Sequence, residues 1–215
     1  MTNVVVTTIE ASTTSTASSV DTTQKIEQML PIRMVSRVVR GFGRGSTDLG
    51  IPTANLQREG LKMCTAPSPD DPVNDSSPPT FQDLPCGIYW GFCRIGGSSD
   101  QGTAGVVYKA ALSIGYNPTY GNDEKTVEPH LIAPATDPRR HTSSCGETIL
   151  HDFYDQPVRL SVVGYLRPEL PFEGLEKLIV AIKNDIVAAE KMGDATDSVT
   201  LQECDWVESE EVIQV

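Results

Sequence analysis

Five short segments rich in β-forming residues, separated by turn residues, restrict the possible folds of this chain more than any other feature. They are 32–39, 87–95, 106–114, 126–133 and 158–166. The first alternates apolar and polar side chains over most of its length, as a strand with one buried face does. Glycine-rich and Asn-Pro turn sequences lie between later segments. Short strands with this spacing predict a mainly β domain that forms either a closed barrel or a sandwich.

Clear helical periodicity occurs in one segment, which follows the last predicted strand. Its apolar stripe consists of Leu175, Leu178, Ile179, Ile182 and Ile186. Glu176 suits the positive N-terminal end of a helix, and Gly193 suits its termination. The sequence therefore predicts one long C-terminal amphipathic helix packed on the β domain.

The other segments lack the pattern of a packed core. Residues 1–30 are rich in Ser and Thr with few large apolar side chains, and they are predicted to be a disordered extension. The proline-rich segment 57–85 and the polar segment 134–146 are predicted to be surface inserts in a single domain spanning 31–192. The acidic tail 193–215 is either a solvated extension or a segment that docks back onto the barrel.

Composition excludes several classes of protein. The formal net charge of −12 would repel a phosphate backbone, so nucleic acid is not an expected partner. No apolar run is long enough to span a membrane, and the first thirty residues lack a secretory signal. The five cysteines have no C-x-x-C spacing and are expected to be free thiols. We therefore expect a cytoplasmic protein with neither nucleic-acid nor membrane partners. A monomer is also expected, although composition does not establish it.

A glycine-rich loop follows the first predicted strand. Residues 41–46 read Gly-Phe-Gly-Arg-Gly-Ser, and such a loop lets backbone N–H groups approach a phosphate closely. It lacks the Gly-Lys-Ser/Thr ending of a Walker A loop, and no helix follows it as in a dinucleotide-binding fingerprint. By itself it is either an ordinary hairpin or a phosphate-binding loop.

Two polar residues follow this loop at alternate positions. On an extended chain Thr53 and Asn55 point to the same face. Magnesium takes few protein oxygens when substrate phosphates complete its coordination shell, so this pair would suit a nucleotide-bound ion. The alternative is that both residues only stabilise a turn.

Six blocks of sequence occur in the order found in one enzyme family. They read GFGRGSTDLGIPTANL, GIYWGF, LSIGYNPTYGN, VEPHLI, DFY and VGYLRPELPFEGLEKLIVAIKNDI. Together they resemble the eukaryotic monofunctional riboflavin kinases over residues 34–191, apart from the two inserts. The resemblance implies a six-stranded antiparallel, Greek-key-like closed β-barrel with a C-terminal helix. It also implies an enzyme that uses ATP and Mg²⁺ to phosphorylate the riboflavin 5′-hydroxyl, giving FMN and ADP.

The resemblance also assigns roles to individual residues. Glu128 matches the catalytic glutamate, a general base, and Arg167 is also expected to act in catalysis. The expected ATP-binding residues are Gly41, Gly43, Arg44, Thr47, Thr53, Asn55, Leu131, Ala133 and Tyr154. The expected flavin-binding residues are Glu128, Arg167, Leu170 and Phe172. The expected metal ligands are Thr53 and Asn55, for Mg²⁺ or for Zn²⁺ or Mn²⁺ as substitutes.

Two positions depart from the family pattern. Thr47 stands where relatives often have a lysine, so one phosphate contact is expected to be weaker or absent. Pro129 stands where they commonly have a hydroxyl residue, and proline cannot donate to a sheet ladder, so an edge position is expected. Proline also favours an extended conformation at the preceding residue, which is compatible with Glu128 pointing inward from a strand.

Other interpretations of these residues remain open. Leu131, Ala133 and Leu170 would suit a core whether or not a ligand binds, and Arg167 could lie in solvent. The main alternative function is a flavin- or nucleotide-binding module without catalysis, against which the intact candidate site argues. A second, adenylylating domain is not expected, because no remaining segment is long enough. The three histidines lack metal-ligand spacing.

Overall fold

The computed structural model describes residues 15–39, 53–57, 61–64, 80–96, 105–116, 125–133 and 154–209. The strands are β1 (Ile32–Val39), β2 (Asn55–Leu56), β3 (Lys62–Cys64), β4 (Gly87–Ile95), β5 (Val107–Tyr116), β6 (Lys125–Ile132) and β7 (Pro157–Pro168). The helices are α1 (Ser15–Met29), α2 (Leu175–Gly193) and α3 (Ser198–Glu208). Gly41, Gly43, Arg44, Thr47 and the predicted insert 134–146 lie outside the described residues.

The strands form one antiparallel sheet in the order β2-β1-β7-β4-β5-β6, with β3 paired to β1. The last strand in sequence, β7, is inserted between β1 and β4. The two ends of this order meet where Thr53 bridges His130 and the Ala54 N–H donates to the Pro129 carbonyl at 2.9 Å. We call this contact the seam. It confirms the predicted mainly β fold with a nearly closed barrel of six strands.

Alternation of side chains along the strands gives the barrel a filled interior and a covered outer wall. Fully buried interior residues include Met34, Tyr89, Leu112, Leu160 and Val162. A second apolar cluster lies on the outer wall under the C-terminal helices and includes Trp90, Phe92, Ile186, Ala189 and Val207. The apolar stripe predicted over 175–186 thus belongs to a helix that packs on the barrel.

The prediction of a disordered segment over 1–30 is wrong for the part that forms α1. Ile26 is fully buried and packs with the barrel interior, and Met29 and Leu30 lie partly buried beside it. A few apolar side chains at the end of a Ser/Thr-rich segment give no periodic signal, so only packing against the barrel shows their role. A protein that began at Pro31 would lack this part of the core.

The segment 57–85 is also not wholly a surface insert. Phe81 and Leu84 are buried with the barrel interior. Lys125 donates to the Gln82 and Leu84 carbonyls, both at 2.6 Å. The residues just before β4 therefore contribute to the core at the end of the barrel where β6 begins.

The acidic tail docks back onto the barrel as α3, so the described residues include a second C-terminal helix in addition to the predicted one. The Glu203 carboxylate accepts hydrogen bonds from Arg33 at 2.9 and 3.0 Å and from the Ser161 hydroxyl at 2.6 Å. The guanidinium groups of Arg33 and Arg159 lie over the Trp206 ring, 5.1 and 4.4 Å from its centroid. This charged and aromatic contact fixes α3 against β1 and β7.

Two further observations concern the rest of the described chain. Cys64, Cys86, Cys93 and Cys204 are free thiols, as predicted for them. None of the helices in the described ranges combines the length and hydropathy that a membrane crossing requires.

Replacing Glu203 by alanine should lower the free energy of unfolding by about 3–5 kcal/mol, because the Arg33 charge would stay buried without its partner. Urea denaturation measures this change. The matched control is Glu173→Ala, which breaks an exposed pair with Lys177 and should alter stability by less than about 1 kcal/mol. An equally small loss for Glu203→Ala would show that apolar contacts alone hold α3.

Candidate active site

Thr53 and Asn55 lie on the outer face of the barrel, next to the seam. Ala54 and Leu56 are buried with the barrel interior. Because side chains alternate along an extended chain, Thr53 and Asn55 point outward together. Both residues are half-buried.

The seam register brings Glu128 opposite Asn55. Thr53 pairs with His130, and Ala54 donates to Pro129. The next step of this antiparallel register sets Asn55 across from Glu128. Side chains that lie directly opposite on one face have their Cβ atoms about 4.5–5.5 Å apart. The structure thus brings together two residues that are far apart in sequence.

Glu128 points away from the barrel interior, a direction that Pro129 in the sequence had left open. Its neighbours Val127 and Leu131 belong to the interior cluster, whereas Ile132 belongs to the outer one. Glu128 lies four residues before Ile132 in the same strand, so both side chains point to the outer face. The proline restricts the backbone to an extended conformation, but it does not determine which face of the strand is buried.

Pro129 occupies the kind of position expected for it, in a strand at the end of the hydrogen-bonded order. Its carbonyl accepts from Ala54 across the seam. In antiparallel pairs the N–H and C=O of one residue point to the same neighbour. At this position a backbone N–H would point to the seam and not to β5. The absence of an N–H in proline therefore removes no hydrogen bond between β6 and β5.

The surroundings of Glu128 raise the pKa of its carboxyl group. Burial is the largest cause, and the negative charge of Glu169 raises this pKa further, while a hydrogen bond from Thr126 lowers it. The Thr126 hydroxyl donates to Glu128 Oε1 at 3.3 Å. A carboxylate with a raised pKa is a stronger base, which is the property that general-base catalysis uses.

Arg167 joins β7 to α2 instead of lying free in solvent. Its Nε and one terminal nitrogen donate to the two Asp185 carboxylate oxygens at 2.7 and 2.6 Å. The guanidinium also lies over the Phe172 ring, 5.7 Å from its centroid. Asp185 did not emerge from the sequence analysis. The sequence signal that could have identified Asp185 is its position next to Ile186, within the apolar stripe of the helix.

Leu170 and Phe172 lie in the short segment between β7 and α2. Leu170 is exposed, whereas Phe172 is half-buried beneath Arg167. The segment ends at Gly174, whose φ of 98° is a conformation that glycine adopts without strain. Leu170 thus adds exposed apolar surface two residues before Phe172.

The residues predicted to bind ATP separate into two groups. Leu131 is buried in the barrel interior, so its side chain does not face Glu128 and Asn55. Ala133 is half-buried directly after β6, and Tyr154 is partly exposed just before β7. The Asp155 N–H donates to the Val38 carbonyl at 2.7 Å, which places Tyr154 beside the end of β1.

Ala133 and Tyr154 lie at the opposite end of the barrel from Leu170 and Phe172. The end of β1 pairs with the start of β7, next to Tyr154. The other end holds Phe172 and the residues that follow β7. Glu128 lies near the middle of β6, between these ends.

The donor atoms near the seam suit a hard cation. Thr53 and Asn55 supply neutral oxygens on one face, and phosphate oxygens of a nucleotide would complete the coordination that magnesium prefers. Groups of three or more His, Cys, Asp or Glu side chains able to hold a metal do not occur among the described residues. Two neutral oxygens would suit a cation whose other ligands come from a nucleotide.

Comparison with known proteins gives one family. The family model described as "Flavokinase: Riboflavin kinase" matches residues 28–193. Riboflavin kinase from Mus musculus is 37% identical over 174 residues, covering 81% of this chain and 88% of its own, and the Homo sapiens protein is 36% identical with the same coverage. Riboflavin kinase from Aspergillus fumigatus is 36% identical over 182 residues and covers 77% of each chain.

The raised pKa of Glu128 predicts a pH-dependent effect of Glu128→Gln on stability. The folded protein holds this proton more tightly than the unfolded chain, so the stabilisation from protonated Glu128 is complete at low pH and is lost as pH rises through the folded pKa. The Gln variant should therefore melt at a higher temperature than the wild type at neutral pH. Calorimetry at decreasing pH should show this difference shrinking toward the ordinary carboxyl pKa of about 4.3.

The matched control for this experiment is Glu176→Gln, at an exposed position in the first turn of α2. It should not reproduce the gain at neutral pH. A Glu128→Gln variant that is less stable than the wild type at neutral pH would contradict the raised pKa.

Proposed function

The chain belongs to the riboflavin kinase family, and on this basis we propose that it transfers the γ-phosphate of ATP to the 5′-hydroxyl of riboflavin, giving FMN and ADP. The single observation that supports this chemistry best is the seam register, which sets Asn55 opposite Glu128. A candidate metal ligand and a candidate base thus face each other on one surface.

We propose that ATP binds at the end of the barrel where β1 stops. Residues 40–52 connect Val39 to Thr53, and Val39 itself pairs with Asn55. Val39 and Thr53, the described residues on either side of the predicted phosphate loop, both lie close to the seam, and we propose that Gly41, Gly43, Arg44 and Thr47 hold the phosphates there. Ala133 and Tyr154 would border the nucleotide there, while Leu131 would contribute through its backbone.

We propose Mg²⁺ as the metal, held by the Thr53 hydroxyl and the Asn55 side-chain oxygen together with ATP phosphate oxygens. Bound magnesium neutralises phosphate charge during phosphoryl transfer. The support is the donor set, because two neutral oxygens suit a hard cation that brings its own anionic ligands. Zn²⁺ and Mn²⁺ are possible substitutes.

Glu128 would accept the proton of the attacking riboflavin hydroxyl. Phosphoryl transfer depends mainly on alignment and charge stabilisation, so the position of this carboxylate between the two ends of the barrel matters as much as its basicity. Arg167 would act as a positioning residue, because its contacts with Asp185 and Phe172 fix the flavin side of the site.

We also propose that the protein acts in the cytoplasm as a monomer. The support for this location is the composition, with an odd number of cysteines and no C-x-x-C pair. The alternative function is a flavin- or nucleotide-binding module without catalysis, which would form no FMN. Incubation with riboflavin, ATP and Mg²⁺ followed by chromatography of the flavins yields FMN only if the chain is a kinase.

Glu128→Gln should lower kcat for FMN formation by about 100-fold or more, because a neutral amide cannot take the hydroxyl proton. The riboflavin Kd should change little, since the side chains have nearly the same shape. Steady-state kinetics and fluorescence titration measure the two quantities. A near wild-type kcat would show that Glu128 is not the base. Water or Asp152, which lies outside the described residues, would then accept the proton.

Asn55→Ala should weaken Mg-ATP binding by about tenfold or more, because one of the two proposed metal ligands is removed. Riboflavin binding should be nearly unchanged, and titration calorimetry with each ligand measures both. Asn184→Ala, at an exposed position on α2, is the matched control and should affect neither. Equal losses for both ligands in Asn55→Ala would mean that Asn55 only stabilises the seam.

A further inference from the structure

A carboxylate that the proposed reaction does not use lies next to Glu128. Glu169 directly follows β7, whose last residue, Pro168, pairs with Gly87 of β4. Gly87 pairs in turn with Ile114 of β5. The Glu169 side chain reaches across this end of β4 to the outer face of β5.

Gly115 provides the space that the Glu169 carboxylate occupies. A Cβ atom at Gly115 would lie 2.1 Å from Glu169 Oε1 and 2.8 Å from its Cδ, so any larger residue would displace the carboxylate. A glycine inside a strand commonly marks such a close approach. Gly115 pairs with Thr126, whose hydroxyl donates to Glu128. Glu169, Thr126 and Glu128 therefore form one polar group on the outer face.

This group presents hydrogen-bond acceptors and few donors. Burial raises the pKa of Glu169, and Arg167 lowers it. The Arg167 guanidinium, however, gives its bidentate contact to Asp185. The Thr126 hydroxyl hydrogen bonds to Glu128 or to the Gly115 carbonyl, each at 3.3 Å. A ligand that complements the group must therefore bring donors of its own.

We propose that Glu169 accepts hydrogen bonds from the secondary hydroxyls of the riboflavin ribityl chain and thereby selects flavins that carry a polyol. The inference rests on the proposed function, in which Glu128 receives the terminal hydroxyl of that chain. Glu169 lies three residues before Phe172, on the side of the site where the flavin ring would bind. The hydroxyls between the ring and the terminal oxygen would thus pass the Glu169 carboxylate.

Two variants test this role by different routes. Glu169→Ala removes the acceptor, and Gly115→Ala keeps it but pushes it aside, which the flexible end of the side chain permits without disrupting the strand. Each should raise the riboflavin Kd by about tenfold or more, the range expected for a lost hydrogen bond to a charged group. Neither should alter the affinity for lumiflavin, which has the flavin ring without the polyol. Glu176→Gln is the matched control and should leave riboflavin binding unchanged.

The outcomes separate this inference from the proposed function. FMN formation by the wild type is measured first, and its absence would reject the kinase activity. If the wild type makes FMN, unchanged riboflavin affinity in both variants overturns the role of Glu169 alone. Equal losses of affinity for riboflavin and lumiflavin would show that Glu169 contacts the flavin ring or maintains the conformation of the segment between β7 and α2. A loss of affinity confined to Mg-ATP would show that Glu169 interacts with the cation. Each of these three results overturns the proposal.

Discussion

Closure of the barrel at the seam is the contact on which the rest of the structure depends. One hydrogen bond between Ala54 and Pro129 and one bridge between Thr53 and His130 join the two ends of the strand order. The same contact fixes the register that sets Asn55 opposite Glu128. A shift of one residue would turn one of these side chains toward the barrel interior. Closure and assembly of the candidate site are therefore one structural event.

Two charged pairs then attach the C-terminal helices to the outer wall. Asp185 on α2 binds Arg167, and Glu203 on α3 binds Arg33, each through both carboxylate oxygens. Apolar contacts beneath the helices are not directional, whereas these bidentate pairs fix the orientation of each helix on the wall. The first pair also supports Phe172, so the packing of α2 is connected to the flavin side of the site.

The candidate base lies where stability and chemistry have opposite requirements. Burial and the charge of Glu169 disfavour ionised Glu128, yet a carboxylate with a raised pKa accepts a proton more readily. Gly115 shows the same compromise, because a strand glycine weakens a sheet but gives Glu169 its space. Residues that are unfavourable locally thus cluster beside the proposed reaction centre.

The sequence by itself determined the five longer strands, the long helix and the shared face of Thr53 and Asn55, because these follow from local periodicity. It did not reveal α1 around Ile26, the docking of α3 through Glu203, or the partner of Arg167, since each depends on residues distant in the chain. It also left the direction of Glu128 open. A period of two shows which residues share a face, but which face is buried depends on how all the strands pair around the barrel, and only the tertiary structure decided that.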